Sequence, residues 1–155
     1  MSRLVNAAAL AGILLSLWLL WRGSAPSAPA LLADPVRTPG VLNPEVTQGT
    51  VGQTICVTGW TRTIRPPTSY TSKLKVEQMR EYGVGGDPHD YQEDHLISLE
   101  LGGHPTDRRN LWPEPNPRAT QVDRIENELN AEVCSGGITL AEGQRRESEL
   151  KHTEG

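Results

Sequence analysis

The chain has 155 residues, with 15 Lys+Arg against 19 Asp+Glu and a formal net charge of −4, a length for about one domain that excludes a large multidomain enzyme. Twelve Pro, fifteen Gly and only four Trp and three Tyr with no Phe count against a long helical bundle and for a small, turn-rich α+β domain. The acidic balance excludes a protein that coats nucleic acid through bulk positive charge, so phosphate binding must be local.

Leu4 to Trp21 is apolar except for Asn6 and Ser16, with Arg3 ahead of it and Arg22 behind. Its length and the interfacial Trp18 and Trp21 fit an uncleaved single-span anchor, whereas Ala28-Pro29-Ala30 offers the small-residue pattern of a cleaved signal peptide. Under either reading residues 1–22 direct the chain across or into the cytoplasmic membrane. The rest then faces outside, either as a single-pass membrane protein whose membrane partner is residues 4–21 or as a secreted or periplasmic one. Residues 23–49 carry Pro26, Pro29, Pro35, Pro39 and Pro44 and read as a Pro-rich linker. The folded domain is expected over 50–155. Cys56 and Cys134 fall near its two ends, and in an oxidising compartment their default state is a disulfide, stabilising the domain by about 4–5 kcal/mol through loop closure.

Within the domain, β-branched residues from Thr54 to Trp60 predict a strand, broken after Arg65 by Pro66-Pro67. Thr71 to Tyr82, with Leu74 and Met79 and Gly83 at its end, predicts a helix. Tyr91 to Leu101 then predicts a strand, Gly102-Gly103-His104-Pro105 a turn, and Asn110-Leu111-Trp112 a return strand ended by Pro113, Pro115 and Pro117: a β-hairpin. From Arg118 to Val133 the apolar positions Val122, Ile125, Leu129 and Val133 recur at helical spacing, and Gly136-Gly137 stops the run. A last helix opens on the capping box Thr139 and Glu142 and runs through Leu150.

Strand, turn, strand and helix in this order, with Glu93-Asp94-His95-Leu96 on the first strand and Asn110-Leu111-Trp112-Pro113-Glu114 on the second, resemble the HNH-like (ββα-metal, His-Me finger) endonucleases. With Thr61-Arg62-Thr63-Ile64-Arg65-Pro66-Pro67 ahead of them, they resemble small exported bacterial proteins that carry such a domain. The resemblance spans about 80 residues, from Cys56 to Cys134. It implies a small α+β, ββα-metal fold with flanking helices and metal-dependent hydrolysis of phosphodiesters, with nucleic acid as the substrate. Such hydrolysis needs a base to deprotonate water and a cation to stabilise charge on the phosphate.

The resemblance makes His95 the general base, Asp94 the first metal ligand and Asn110 the residue that orients the histidine loop. The second ligand comes from the long helix, where Asp123 is preferred, followed by Asn127 and Glu126; Asp123 shares a face with either. An oxygen-rich pair favours Mg²⁺ or Mn²⁺ over Zn²⁺. Arg62 and Arg65 are the candidate phosphate clamps, since guanidinium pairs bidentately with phosphate oxygens. A regular strand puts Asp94 and His95 on opposite faces, so the motif requires the strand to end or bulge there. No sequence feature marks a specific protein partner. The alternative reading is a catalytically inert, membrane-anchored or secreted interaction module on the same scaffold.

Overall fold

The computed structural model describes residues 31–153. The run Leu4–Trp21 and Ala28-Pro29-Ala30, read above as export or anchoring signals, lie outside them. Among the described residues no helix is long and apolar enough to cross a membrane. A short turn of 3-10 helix at Val51–Gln53 leads to helix α1 (Trp60–Ile64), α2 (Thr68–Glu81), strand β1 (Tyr91–His95), strand β2 (Leu111–Pro115), α3 (Asn116–Ser135) and α4 (Leu140–Thr153). The strands pair antiparallel, with Tyr91 opposite Pro115 and His95 opposite Leu111, so the architecture is mixed α+β.

Three expectations need correction. Residues 54–59 form successive turns and Trp60 opens α1, in place of the strand expected over 54–60. The Cys56 N–H donates to the Val51 carbonyl, and those of Val57 and Trp60 donate to Thr54 and Val57. With no neighbouring strand among the described residues to receive a ladder, the β-branched composition packs side chains and builds no sheet.

The second correction concerns the linker. Its portion from residue 31 is part of the fold: Ala33, Thr38, Asn43 and Val46 are buried. The N–H groups of Gly40, Asn43 and His104 bond to the carbonyls of Arg109, Gly102 and Val41, so this segment lies along the loop between the strands. Proline-rich composition alone does not separate a solvated tether from an extended segment whose N–H groups find partners.

The third concerns the hairpin. Each strand has five residues, and the connection between them is long, with 3-10 turns at Leu99–Leu101 and Arg108–Asn110. Pro113 and Pro115, expected to end the second strand, lie within it. The Leu111 carbonyl turns away from β1 to accept from the Gln78 amide at 2.9 Å. By the two-residue period Pro113 and Pro115 present the same edge, where a missing N–H breaks no ladder bond.

Helices α2, α3 and α4 form where predicted. Thr139 Oγ1 accepts from the Glu142 N–H at 3.2 Å, the expected cap. One apolar cluster joins Val46, Ile55, Ile97, Leu101, Leu129, Val133 and Leu140; a second joins Ala33, Leu96 and Trp112. The Cys56–Cys134 disulfide pins the turn region to the end of α3 across a sequence separation of 78. A bond of this kind persists in oxidising compartments, in keeping with an extracytoplasmic domain.

The loop after β1 leaves no room at Gly103. A Cβ there would lie 1.7 Å from the Ile97 carbonyl oxygen and 2.6 Å from Asn110 Nδ2. At Gly52, by contrast, an added Cβ meets nothing within 4 Å. Gly103→Ala is therefore expected to lower the chemical-denaturation midpoint, at a cost of about 1–3 kcal/mol, while Gly52→Ala leaves it within about 0.5 kcal/mol. Equal midpoints for the two variants would contradict this account of the loop.

Candidate functional site

β1 ends at His95, where the chain turns into the loop, and this termination lets Asp94 and His95 line one polar cavity of about 160 Å³. Arg65, Asp123 and Glu126 line it too, with Thr61, Gln92 and Glu100 at its sides. Helix α1 ends at Arg65 because Pro66-Pro67 force extended backbone, and that end delivers the guanidinium to the cavity. Arg62 and Asn127 are exposed and absent from its lining. The Asn127 amide is instead spent within the helix, on the Asp123 carbonyl at 2.5 Å.

The His95 ring is buried and its Nε2 lies 3.0 Å from the Pro105 carbonyl oxygen. A carbonyl only accepts, so Nε2 carries the hydrogen and Nδ1 keeps its lone pair. Burial pulls the imidazole below the usual histidine range, against the opposing pull of the Pro105 bond and Asp94, so it is neutral near pH 7. The Asn110 side chain is fully buried. Its Oδ1 accepts from the Ile97 N–H at 3.0 Å, and its Nδ2 donates to the carbonyls of Ile97 and His104 at 3.0 and 3.1 Å. Three bonds thus tie together the loop that carries Pro105, the partner of the His95 ring.

Sequence reasoning missed a cationic centre beneath the cavity. Lys151, on the last turn of α4, is fully buried. Its Nζ lies 2.9 Å from Asp94 Oδ2, 2.5 Å from Glu126 Oε1, 2.5 Å from the His95 carbonyl oxygen and 3.4 Å from Glu147 Oε1. Burial pushes the Asp94 carboxyl up, but Lys151 and Glu114 outweigh it and hold the group well below its ordinary value. Burial drives Glu126 and Glu147 the other way, above theirs. Glu114, also buried and paired with Arg118, is raised to about 9 by burial and the adjacent Asp94. Asp94 is thus the carboxylate of this group whose charged form its surroundings favour.

The buried stripe of α3 is Ala119, Val122, Glu126, Leu129 and Val133. Glu126 takes the slot expected for Ile125, which is 36% exposed, because Lys151 waits there as its partner. The sequence did hold a signal: Leu140, Gly143, Glu147 and Lys151 recur at spacings of 3, 4 and 4 as the buried face of α4. Two opposite charges on such a face mark a buried ion pair.

Asp94 Oδ1 lies 3.5 Å from Gln92 Nε2, the Asp94 carboxylate also shares a hydrogen bond with the Glu114 carboxyl, and the exposed Asp123 lines the same cavity. The Asp123 carboxyl is raised by partial burial and by the Asp94 charge beside it. Hard oxygens of this kind fit Mg²⁺ or Mn²⁺, which bind through one or two carboxylates and keep several waters. Among the described residues no group of three or more His, Cys, Asp or Glu side chains is placed to hold a metal ion. Comparison with protein-family models, with curated proteins and with solved structures returns no match.

Proposed function

We propose that this domain hydrolyses phosphodiester bonds of nucleic acid outside the cytoplasm as an HNH-like, ββα-metal endonuclease. The observation that carries the reading is the His95 ring, neutral and with its Nε2–H committed to Pro105, beside the ionised Asp94 in one polar cavity. His95 Nδ1 takes a proton from water, and the water oxygen forms a new bond to phosphorus as the bond to the departing sugar oxygen breaks. That oxygen takes up a proton from solvent, leaving a phosphate monoester and a hydroxyl. Arg65 pairs with the non-bridging phosphate oxygens. Asp94 and Asp123 would hold a divalent cation, which supplies charge stabilisation at the phosphate and the leaving oxygen. The strand, loop, strand and helix order of β1, β2 and α3 supports the same reading, and anchoring or secretion through residues 1–22 completes it.

The test is cleavage of plasmid, linear DNA and RNA by the full-length protein with Mg²⁺, Mn²⁺ or EDTA. Cutting is expected with either metal and absent in EDTA. Arg65→Ala is expected to lower kcat/KM by at least about tenfold through loss of a charged hydrogen bond, while Arg62→Ala stays within about twofold. A folded protein that cuts none of the three substrates with either metal contradicts the nuclease reading and favours the interaction module.

A further inference from the structure

Lys151 uses all three of its donors on groups of the site: Asp94 Oδ2, Glu126 Oε1 and the His95 carbonyl. Its backbone is held as firmly. The Ala33 N–H donates to the Lys151 carbonyl at 3.1 Å, Arg118 donates to the Leu150 carbonyl at 2.9 Å, and His152 Nε2 bonds the Thr38 carbonyl at 3.0 Å. Glu147, on the same face of α4 and also fully buried, accepts from the Ser98 N–H at 2.9 Å. The carboxylates thus have two sides. Lys151 and Glu147 lie in the interior; Asp123 is exposed at the cavity, and Asp94 and Glu126 stand between.

We propose that Lys151 is a tethered counter-cation that fills the inner half of the Asp94, Glu126 and Glu147 cluster, leaving a divalent cation only the outer edge formed by Asp94 and Asp123. This rests on the reading above that Asp94 binds such a cation. The cluster is then assembled before any metal arrives, because the ammonium already offsets the buried Asp94 charge. A divalent ion is held weakly, since it shares the Asp94 carboxylate with a positive charge fixed on the far oxygen. Removing the ammonium opens the inner oxygens of the cluster and removes the repulsion. The repulsion acts between a double and a single charge across one carboxylate in a poorly screened interior.

Lys151→Met in the full-length protein is therefore expected to bind Mn²⁺ at least about tenfold more tightly by calorimetry than wild type. Mn²⁺ should raise its melting temperature far more than that of wild type. Lys151→Arg, which keeps the charge, should bind as weakly as wild type. Should Lys151→Met be unfolded without metal, Mn²⁺ is expected to restore its circular dichroism; failure to do so overturns the proposal, as does binding no tighter than wild type. Asp94→Ala separates the two readings. If it abolishes wild-type Mn²⁺ binding while Lys151→Met leaves affinity unchanged, the counter-cation role falls and the metal site stands. If wild type binds no Mn²⁺ but Lys151→Met does so through Asp94, the counter-cation role stands and the metal-dependent reading falls.

Discussion

His95→Ala is expected to reduce metal-dependent cleavage by about 10²–10⁴-fold, the usual contribution of a positioned general base, and added imidazole is expected to restore part of it. The expectation follows from the ring's surroundings. Its Nε2–H is committed to the Pro105 carbonyl, the Asn110 bonds hold that loop independently of the ring, and burial keeps the imidazole neutral. Truncation therefore removes a base while leaving the loop tied, and it enlarges a polar cavity in which free imidazole can reach the same position. Initial rates with and without imidazole, on protein whose circular dichroism matches wild type, decide the matter. An unchanged rate removes His95 from the chemistry. A loss that imidazole cannot repair in a folded variant makes the ring a structural brace for the loop.

What the sequence disclosed and what it hid follow a physical division. Periodicity exposed α3 and α4, because a 3-and-4 spacing with Gly136 at φ +80° past the end of α3 is a local property of the chain. It also placed Asp123, Glu126 and Asn127 on α3, where they fall in its third and fourth turns. Spacing could not say which of them lines the cavity, since that depends on how the helix is rolled against its neighbours. The answer came from α4: Lys151 draws Glu126 inward, Asp123 stays at the mouth, and Asn127 turns to solvent.

Residues 54–60 and 31–49 were misread for a related reason. Their local composition was compatible with strand and tether, and the partners that decide otherwise, Cys134 for one and the 102–109 loop for the other, are distant in sequence. Lys151 was hidden because charge near a chain end ordinarily reads as solvated surface. Its position four residues after Glu147, on the stripe of Leu140 and Gly143, was the available clue. Gly143 itself is explained by the same packing, since a Cβ there would lie 3.0 Å from Val133 Cγ2 and 3.2 Å from Leu101 Cδ2.

Replacing both Cys56 and Cys134 with serine is expected to destabilise the domain by about 4–5 kcal/mol, the chain-entropy value for closing a loop of this length. The bond links the turn region, whose backbone bonds are all local, to the last turn of α3, beside Ile55 and Val133 of the larger apolar cluster. Without it, the segment ahead of α1 is held by Val51 and Ile55 at the apolar cluster and by the Asn130 amide, 3.4 Å from the Ile55 carbonyl oxygen and 2.7 Å from that of Glu100. Domains of this size have net stabilities of about 5–15 kcal/mol, so the loss is a large share of the total. Arg65 follows the pinned segment directly, and the cavity is expected to loosen with it. Guanidinium denaturation of wild type and the double serine variant measures the difference, and alkylation of unreduced wild-type protein should find no free thiol. Coincident midpoints would show that apolar packing alone holds the turn region against α3, and the disulfide would then have no part in keeping Arg65 at the site.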